Sequence, residues 1–157
     1  SSAASDVYKR QVNDQNHQIS VKLSAKMDKT AQAVERLQEE NFRLKGQVGQ
    51  LVDDMCRKEA ERYAGSGSVL IFMDGMDADS VRKLADAVTQ TCQGCCAVFS
   101  GNADGSYKYA MGEKDGDLRQ FTKEMNAKLN GRGGGKPFFV QGSVQASEKE
   151  IRNFFEQ

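Results

Sequence analysis

One histidine, one proline and four cysteines are all that the 157 residues hold of the types that most often carry chemistry or fix a turn. The histidine, His17, lies in a polar segment. The sequence therefore offers no Ser-His-Asp arrangement and no zinc site built on paired histidines. The cysteines are Cys56, Cys92, Cys95 and Cys96, three of them crowded into "CQGCC". This is not the even spacing of a secreted disulfide scaffold, and it points to a reducing cytoplasm. Its single C-x-x-C lacks the second pair of ligands that a structural zinc site needs. It also ends a helix-like segment, whereas redox chemistry needs the motif at a helix start, so buried, inert thiols are expected. Net charge is missing too, with 22 Lys and Arg against 22 Asp and Glu. Any RNA or phosphate site has to be a local patch. No apolar run approaches the ~20 residues of a membrane span, and no signal-peptide pattern opens the chain. A cytoplasmic protein with no membrane partner is expected.

The length suits one compact domain of about 100 residues with an extension. Residues 1–14 read as a tail or scar outside the fold, the first eleven showing no clear period. Residues 15–64 read as a helical linker. Within it, Met27, Val34, Asn41, Val48 and Met55 fall seven apart, with Thr30, Leu37, Leu44 and Leu51 between them. This a/d pattern runs for about four heptads and predicts a helix seam at Val34, Leu37, Asn41, Leu44, Val48 and Leu51. Asn41 at an a position can fix register and partner number at a cost in stability. Gly46 and Gly49 lie off the seam. The competing reading is an amphipathic helix packed on its own domain.

"AGSGS" (64–68) is a helix stop, and residues 65–157 read as one domain. "SVLIFMDG" (68–75) and "CAVFSG" (96–101) are buried strands. "YKYAMG" (107–112) follows the "NADGS" turn as a hairpin partner. "DADSVRKLADAVTQTC" (77–92) is a helix with Val81, Leu84, Ala85 and Val88 on one face, capped by Asp77 or Asp79. "DGDLRQFTKEMNAKLN" (115–130) is another, with Leu118, Phe121, Met125 and Leu129 inward. "FFVQGSVQA" (138–146) is a strand, and Ser147 with Glu150 forms a capping box for the last helix. The fold class is α+β: a long coiled-coil-like helix, then a small mixed sheet covered by helices in the order β-α-β-β-α-β-α.

Between the fourth helix-like segment and the last strand lies "NGRGGGKP" (130–137), with four of the fifteen glycines and the only proline. It is not a P-loop. Asn130 stands where the first glycine belongs, Pro137 follows Lys136 where Ser or Thr belongs, and the segment follows a helix instead of a strand. A glycine loop remains, in which Gly133, Gly134 and Gly135 could expose backbone N–H groups as an anion nest. Arg132 and Lys136 flank it, with Lys128 one turn upstream, as suits a phosphodiester backbone. A flexible connector with incidental charge is the alternative. "DGMDAD" (74–79) is acidic, but Ala85 stands at the twelfth loop position where calcium needs Glu, so capping and turn formation explain it better.

"NGRGGGKPFFVQGSVQAS", with "AVFSG", "YKYAMG" and "DLRQFTKEMNAKLN" before it in order, resembles the DHH-associated domain at the C-terminus of alanyl-tRNA synthetases and related editing proteins. "ISVKLSAKMDKTAQAVERLQEENFRLK" looks like the helical linker of the freestanding, AlaX-type editing proteins. The resemblance spans about residues 15–157. It departs at "KPFFVQ", with two aromatics where the family more often has a polar or acidic residue and then an apolar one. The resemblance implies a C-terminal part that binds tRNA, alanine-specific and at the elbow, and supports a homodimer. The parent would hydrolyse Ser- or Gly-tRNA(Ala) at a zinc site with H-x-x-x-H and C-x-x-x-H pairs, which this chain lacks. No catalytic residue, metal site or cofactor is therefore expected here, the zinc belonging to a separate catalytic domain. Two alternatives stand beside this reading: the substrate-binding domain of a DHH-type phosphoesterase, and a purely structural oligomerisation module.

Overall fold

The structure, a computed structural model, describes residues 1–22, 29–101 and 105–157, apart from the Ser20 side chain. Leu23, Met27 and the first three residues of the "NADGS" turn lie outside the described residues. The chain divides into two compact units, Ser1–Gly49 and Gln50–Gln157.

The N-terminal unit is helical. Helix α1 spans Ser2–Lys22, so the stretch read as a tail or scar is helical from Ser2 on. Nothing in this stretch breaks a helix: it has no proline and no glycine. Its described side chains are exposed apart from the half-buried Val12. A helix that buries no stripe shows no apolar period to read. Helix α2, Thr30–Arg62, begins in this unit. Its seam residues Val34, Leu37, Leu44, Val48 and Leu51 are 42 to 67% exposed, and Asn41 is exposed with them. From Val34 to Leu51 the heptad residues thus form an exposed apolar stripe among the described residues. An added Cβ at Gly46 or Gly49 would meet nothing within 4 Å.

The last turns of α2 belong to the C-terminal unit. Cys56 is buried there, with Val52, Met55 and Tyr63 packed beside it. At these positions the helix does pack on its own domain. Five strands follow in the sheet order β1-β2-β3-β5-β4: β1 Val69–Asp74, β2 Cys96–Gly101, β3 Ser106–Gly112, β4 Arg132–Lys136 and β5 Phe139–Gln145. Strands β1 and β2 are parallel, as a crossover through α3 (Ala78–Thr89) requires, and the other pairs are antiparallel. The α+β class holds, with one strand more than expected, because "RGGGK" is β4 and not a loop.

The sheet buries both faces at its centre. Cys96, Val98 and Ala110 face α2 and α3, against Val81, Leu84, Ala85 and Val88. Each fully buried Val or Leu contributes about 1.5–3 kcal/mol relative to an exposed one. Ala97, Phe99, Tyr109, Met111, Val140 and Val144 face α4 (Arg119–Lys128) and α5 (Glu148–Phe155). Rings dominate this second layer: Phe99 lies 5.7 Å from Phe72, 5.9 Å from Tyr109 and 5.8 Å from Phe155. The helix starts are set by side chains. Asp77 accepts from the Ser80 N–H at 2.8 Å and caps α3. Ser147 and Glu150 form the expected box at α5. No helix among the described residues is long and apolar enough to cross a membrane.

Hydrogen bonds from Ser80, side chain first and then backbone, hold the Asp77 carboxyl below the usual aspartate value. A depressed folded pKa means that its stabilisation is complete above the unfolded value of about 3.9 and is lost as pH falls through the folded one. Asp77→Ala should therefore cost about 1 kcal/mol at pH 7. Thermal melts should show the gap to wild type closing as the pH drops below about 4.

Candidate nucleic-acid interface

Strand β4 starts where α4 stops. Asn130 takes a left-handed conformation, φ 51°, and the Gly131 N–H donates to the Asn126 carbonyl at 2.8 Å. This helix ending turns the chain out along the sheet edge. All five residues of β4 are exposed, and only β5 pairs with them.

The glycines of β4 divide into two kinds. Gly133 faces Gly142 across the ladder, and Gly142 faces Tyr109. The Tyr109 hydroxyl lies against both glycines: a Cβ would come within 2.5 Å of it at Gly133 and within 2.7 Å at Gly142. Gly133 also has φ +150°, and a Cβ at Gly135 would meet the Phe139 carbonyl at 2.4 Å. The Tyr109 hydroxyl bonds Asn126 Oδ1 at 3.1 Å, and Asn126 Nδ2 donates to the Gly133 carbonyl at 3.4 Å. This chain of contacts ties the edge strand to α4. Gly134 differs: a Cβ there would meet nothing within 4 Å. A nest does not form, because in a strand successive N–H groups point alternately toward β5 and outward instead of converging.

Alternation along β4 puts Arg132, Gly134 and Lys136 on the face opposite Gly133, toward α3. Sequence reasoning missed two further cations on this face. Lys108 of β3 and Arg132 of β4 both register with Ser143 of β5, so the three stand in one row across the sheet. Arg82 of α3 lines two adjoining grooves of about 340 and 500 Å3, both of which also include Gln141. Lys136 and Phe138 line the first, Lys108 the second. The signal for Lys108 was present: in "YKYAMG" it alternates with Tyr107 and Tyr109 and so faces away from them. Arg82 pairs with Asp79 at 2.9 Å, and Asp86 lines the first groove. Among the described residues Lys108, Arg132 and Lys136 make no ion pair.

Lys128 does not join this group. Its ammonium bonds Gln157 Oε1 at 3.2 Å and lies 5.6 Å over the Phe154 ring, on the α4–α5 side. A third groove, about 470 Å3, runs between α4 and β4 past Arg119, Lys123 and the glycines. Its arginine is committed: Arg119 binds Asp117 through two nitrogens, at 2.9 and 2.7 Å, and holds that carboxyl down at about 2. The α3 side therefore keeps more cationic capacity. Cys56, Cys92 and Cys96 are buried and Cys95 is half-buried. Burial pushes Cys95 up to about 12 and raises Cys96 and Cys56 as well. No group of three potential metal ligands occurs among the described residues.

This is the fold of the C-Ala domain of Aquifex aeolicus alanyl-tRNA synthetase. Its crystal structure superposes with a TM-score of 0.50 at 19% identity, covering 59% of this chain and 92% of that one. Residues 66–157 match the DHHA1 domain, and the chain belongs to that family. It is similar to alanine–tRNA ligases: 23% identical over 154 residues to that of a Psychrobacter species, covering 90% of this chain and 17% of the ligase. It is 28% identical over 133 residues to that of Shewanella loihica, covering 82% and 15%. For Acholeplasma laidlawii the match is 30% over 79 residues, 50% of this chain and 9% of the ligase. The chain thus spans a small fraction of the length of these relatives.

The two kinds of glycine are separable by experiment. Gly133→Ala should lose about 1–3 kcal/mol, because a positive φ and the Tyr109 hydroxyl both oppose a side chain. Gly134→Ala should melt within about 0.5 kcal/mol of wild type. Equal melts for the two variants would mean that the Tyr109 contact does not require glycine.

Proposed function

We propose that this chain is the noncatalytic, tRNA-binding and dimerising part of an alanyl-tRNA editing protein. The observation that carries the reading is the exposed face on which Lys108, Arg132 and Lys136 surround Gly134. Cations gathered on one face neutralise phosphates, and a glycine lets the backbone approach them. The family supports tRNA as the partner, since the relatives above are ligases that act on tRNA. The catalytic domain would supply the zinc and hydrolyse misacylated Ser- or Gly-tRNA(Ala), and this chain would add affinity and hold two copies together.

A second parent is favoured by a specific observation. An alignment of 154 residues with the Psychrobacter ligase has to include the helical segment as well as the domain. The same module fits the C-terminal piece of an alanine–tRNA ligase. The coding sequence upstream decides between them: zinc-ligand pairs alone mark an editing protein, and an additional aminoacylation domain marks a ligase. A D-H-H motif would mark a phosphoesterase and overturn both.

Arg132→Ala with Lys136→Ala should weaken binding of an alanine tRNA. The double variant should also make the slope of log affinity against log salt shallower by up to about two, one for each lost phosphate contact. Wild-type affinity and slope would reduce this charge to an incidental feature and leave the oligomerisation reading.

The stripe on α2 is the proposed dimer seam. Leu37→Glu and Leu44→Glu each put a charge on a surface that pairing would bury. Both residues are exposed in the single chain, so the variants should keep their helix content and sediment as monomers. Sedimentation unchanged from a wild-type dimer would move the interface elsewhere.

A further inference from the structure

We infer that Phe138 is a nucleobase-stacking contact, so that this face takes RNA presenting an unpaired base or the open face of a terminal base pair. The inference rests on the tRNA-binding reading and narrows the kind of RNA surface recognised.

The two phenylalanines of "KPFFVQ" have opposite fates. Phe139 packs against the core beneath α3. Phe138, one residue earlier, is 49% exposed at the tip of the β4–β5 hairpin. The tip is held firmly. Lys136 pairs with Phe139, leaving Pro137 and Phe138 as a two-residue loop. The Pro137 carbonyl accepts from the Leu118 N–H at 2.7 Å, and the Phe138 carbonyl accepts from the Glu113 N–H at 3.0 Å. Proline fixes its own φ, and both loop carbonyls are anchored to a neighbouring segment. An exposed ring on a pinned turn loses little freedom when something flat lies on it.

The surroundings fit a nucleotide. The Lys136 ammonium lies over the Phe138 ring, 5.8 Å from its centre, so a base stacking on that face displaces the ammonium toward the base's own phosphate. The ring opens onto the groove that holds Arg82 and Gln141. The amide of Gln141 offers both a donor and an acceptor to a base edge. Gly134 lies on the same wall with open space where a side chain would be. Sequence-specific and loop-directed RNA binding uses this combination of aromatic face, amide and cation.

Phe138 carries no charge, so its loss should act on affinity and leave the salt slope alone. Phe138→Ala and Phe138→Leu should each weaken binding of an alanine tRNA about tenfold or more. Both should leave binding to heparin, a polyanion without bases, unchanged. Because the chain has no tryptophan, Phe138→Trp creates a single reporter. It should bind like wild type, and its emission should change on saturation with the tRNA and not with heparin. A silent tryptophan at saturation, or wild-type tRNA affinity in both Ala and Leu variants, would overturn the stacking contact while leaving the cationic site standing. Failure of the wild-type chain to bind tRNA at all would defeat the proposed function, and the stacking contact with it. Matching thermal melts for the three variants exclude a folding defect.

Discussion

The arrangement of the exposed face depends on one close approach. The Tyr109 hydroxyl lies against two facing glycines, Gly133 and Gly142, and bonds Asn126 of α4. A Cβ at either position would meet the tyrosine hydroxyl and the facing backbone, so a side chain there would disturb one of the contacts that tie β4 to α4. The glycine-rich segment is therefore built for packing at Gly133 and Gly135, and only Gly134 is free for another use. A strand with three central glycines has little intrinsic preference for extended backbone. The tyrosine, the amide and the pairing with β5 supply what the residues themselves do not.

Once β4 is fixed as an edge strand, charge follows from geometry. Alternation sends Arg132 and Lys136 to one side, and the register of β3 brings Lys108 to the same row. On the other side Arg119 is spent on Asp117 and Lys128 on Gln157 and Phe154. A chain with no net charge thus acquires one face on which, among the described residues, Lys108, Arg132 and Lys136 make no ion pair. Where charges are paired, not how many there are, sets the electrostatic character of that face.

The sequence was most legible where burial imposes a period. The inward faces of α3 and α4, the doubly buried β2 and the Ser147–Glu150 box all follow from spacing alone. What escaped was structure without burial. Helix α1 exposes nearly every side chain, so residues 1–14 carried no pattern. "RGGGK" has no alternating apolar residue, because its strand faces water on both sides beyond the Tyr109 contact. The candidate site was half legible: Arg132, Lys136 and the glycines stand together in the chain, whereas Lys108 and Arg82 reach them only through the sheet register and the crossover. Lys128 looked adjacent because helical spacing brings it near, but the turn at Asn130 sends the strand away from it. In α2 one heptad pattern served two purposes. Met55 faces the chain's own core, whereas Leu37 and Leu44 face outward, and period alone does not tell these apart.

The outer edge of β4 has a consequence for the molecule's behaviour at high concentration. A short edge strand with almost no side chains is a template onto which another strand can hydrogen-bond. Two copies meeting antiparallel along this edge would bring Arg132 of one opposite Lys136 of the other at both ends. Like charges set directly opposite each other oppose such pairing. The cations that make the face attractive to a polyanion thus also keep two sheets from fusing into one. A polyanion bound across them would shield that repulsion, so on the proposed function solubility and nucleic-acid binding would draw on the same two side chains.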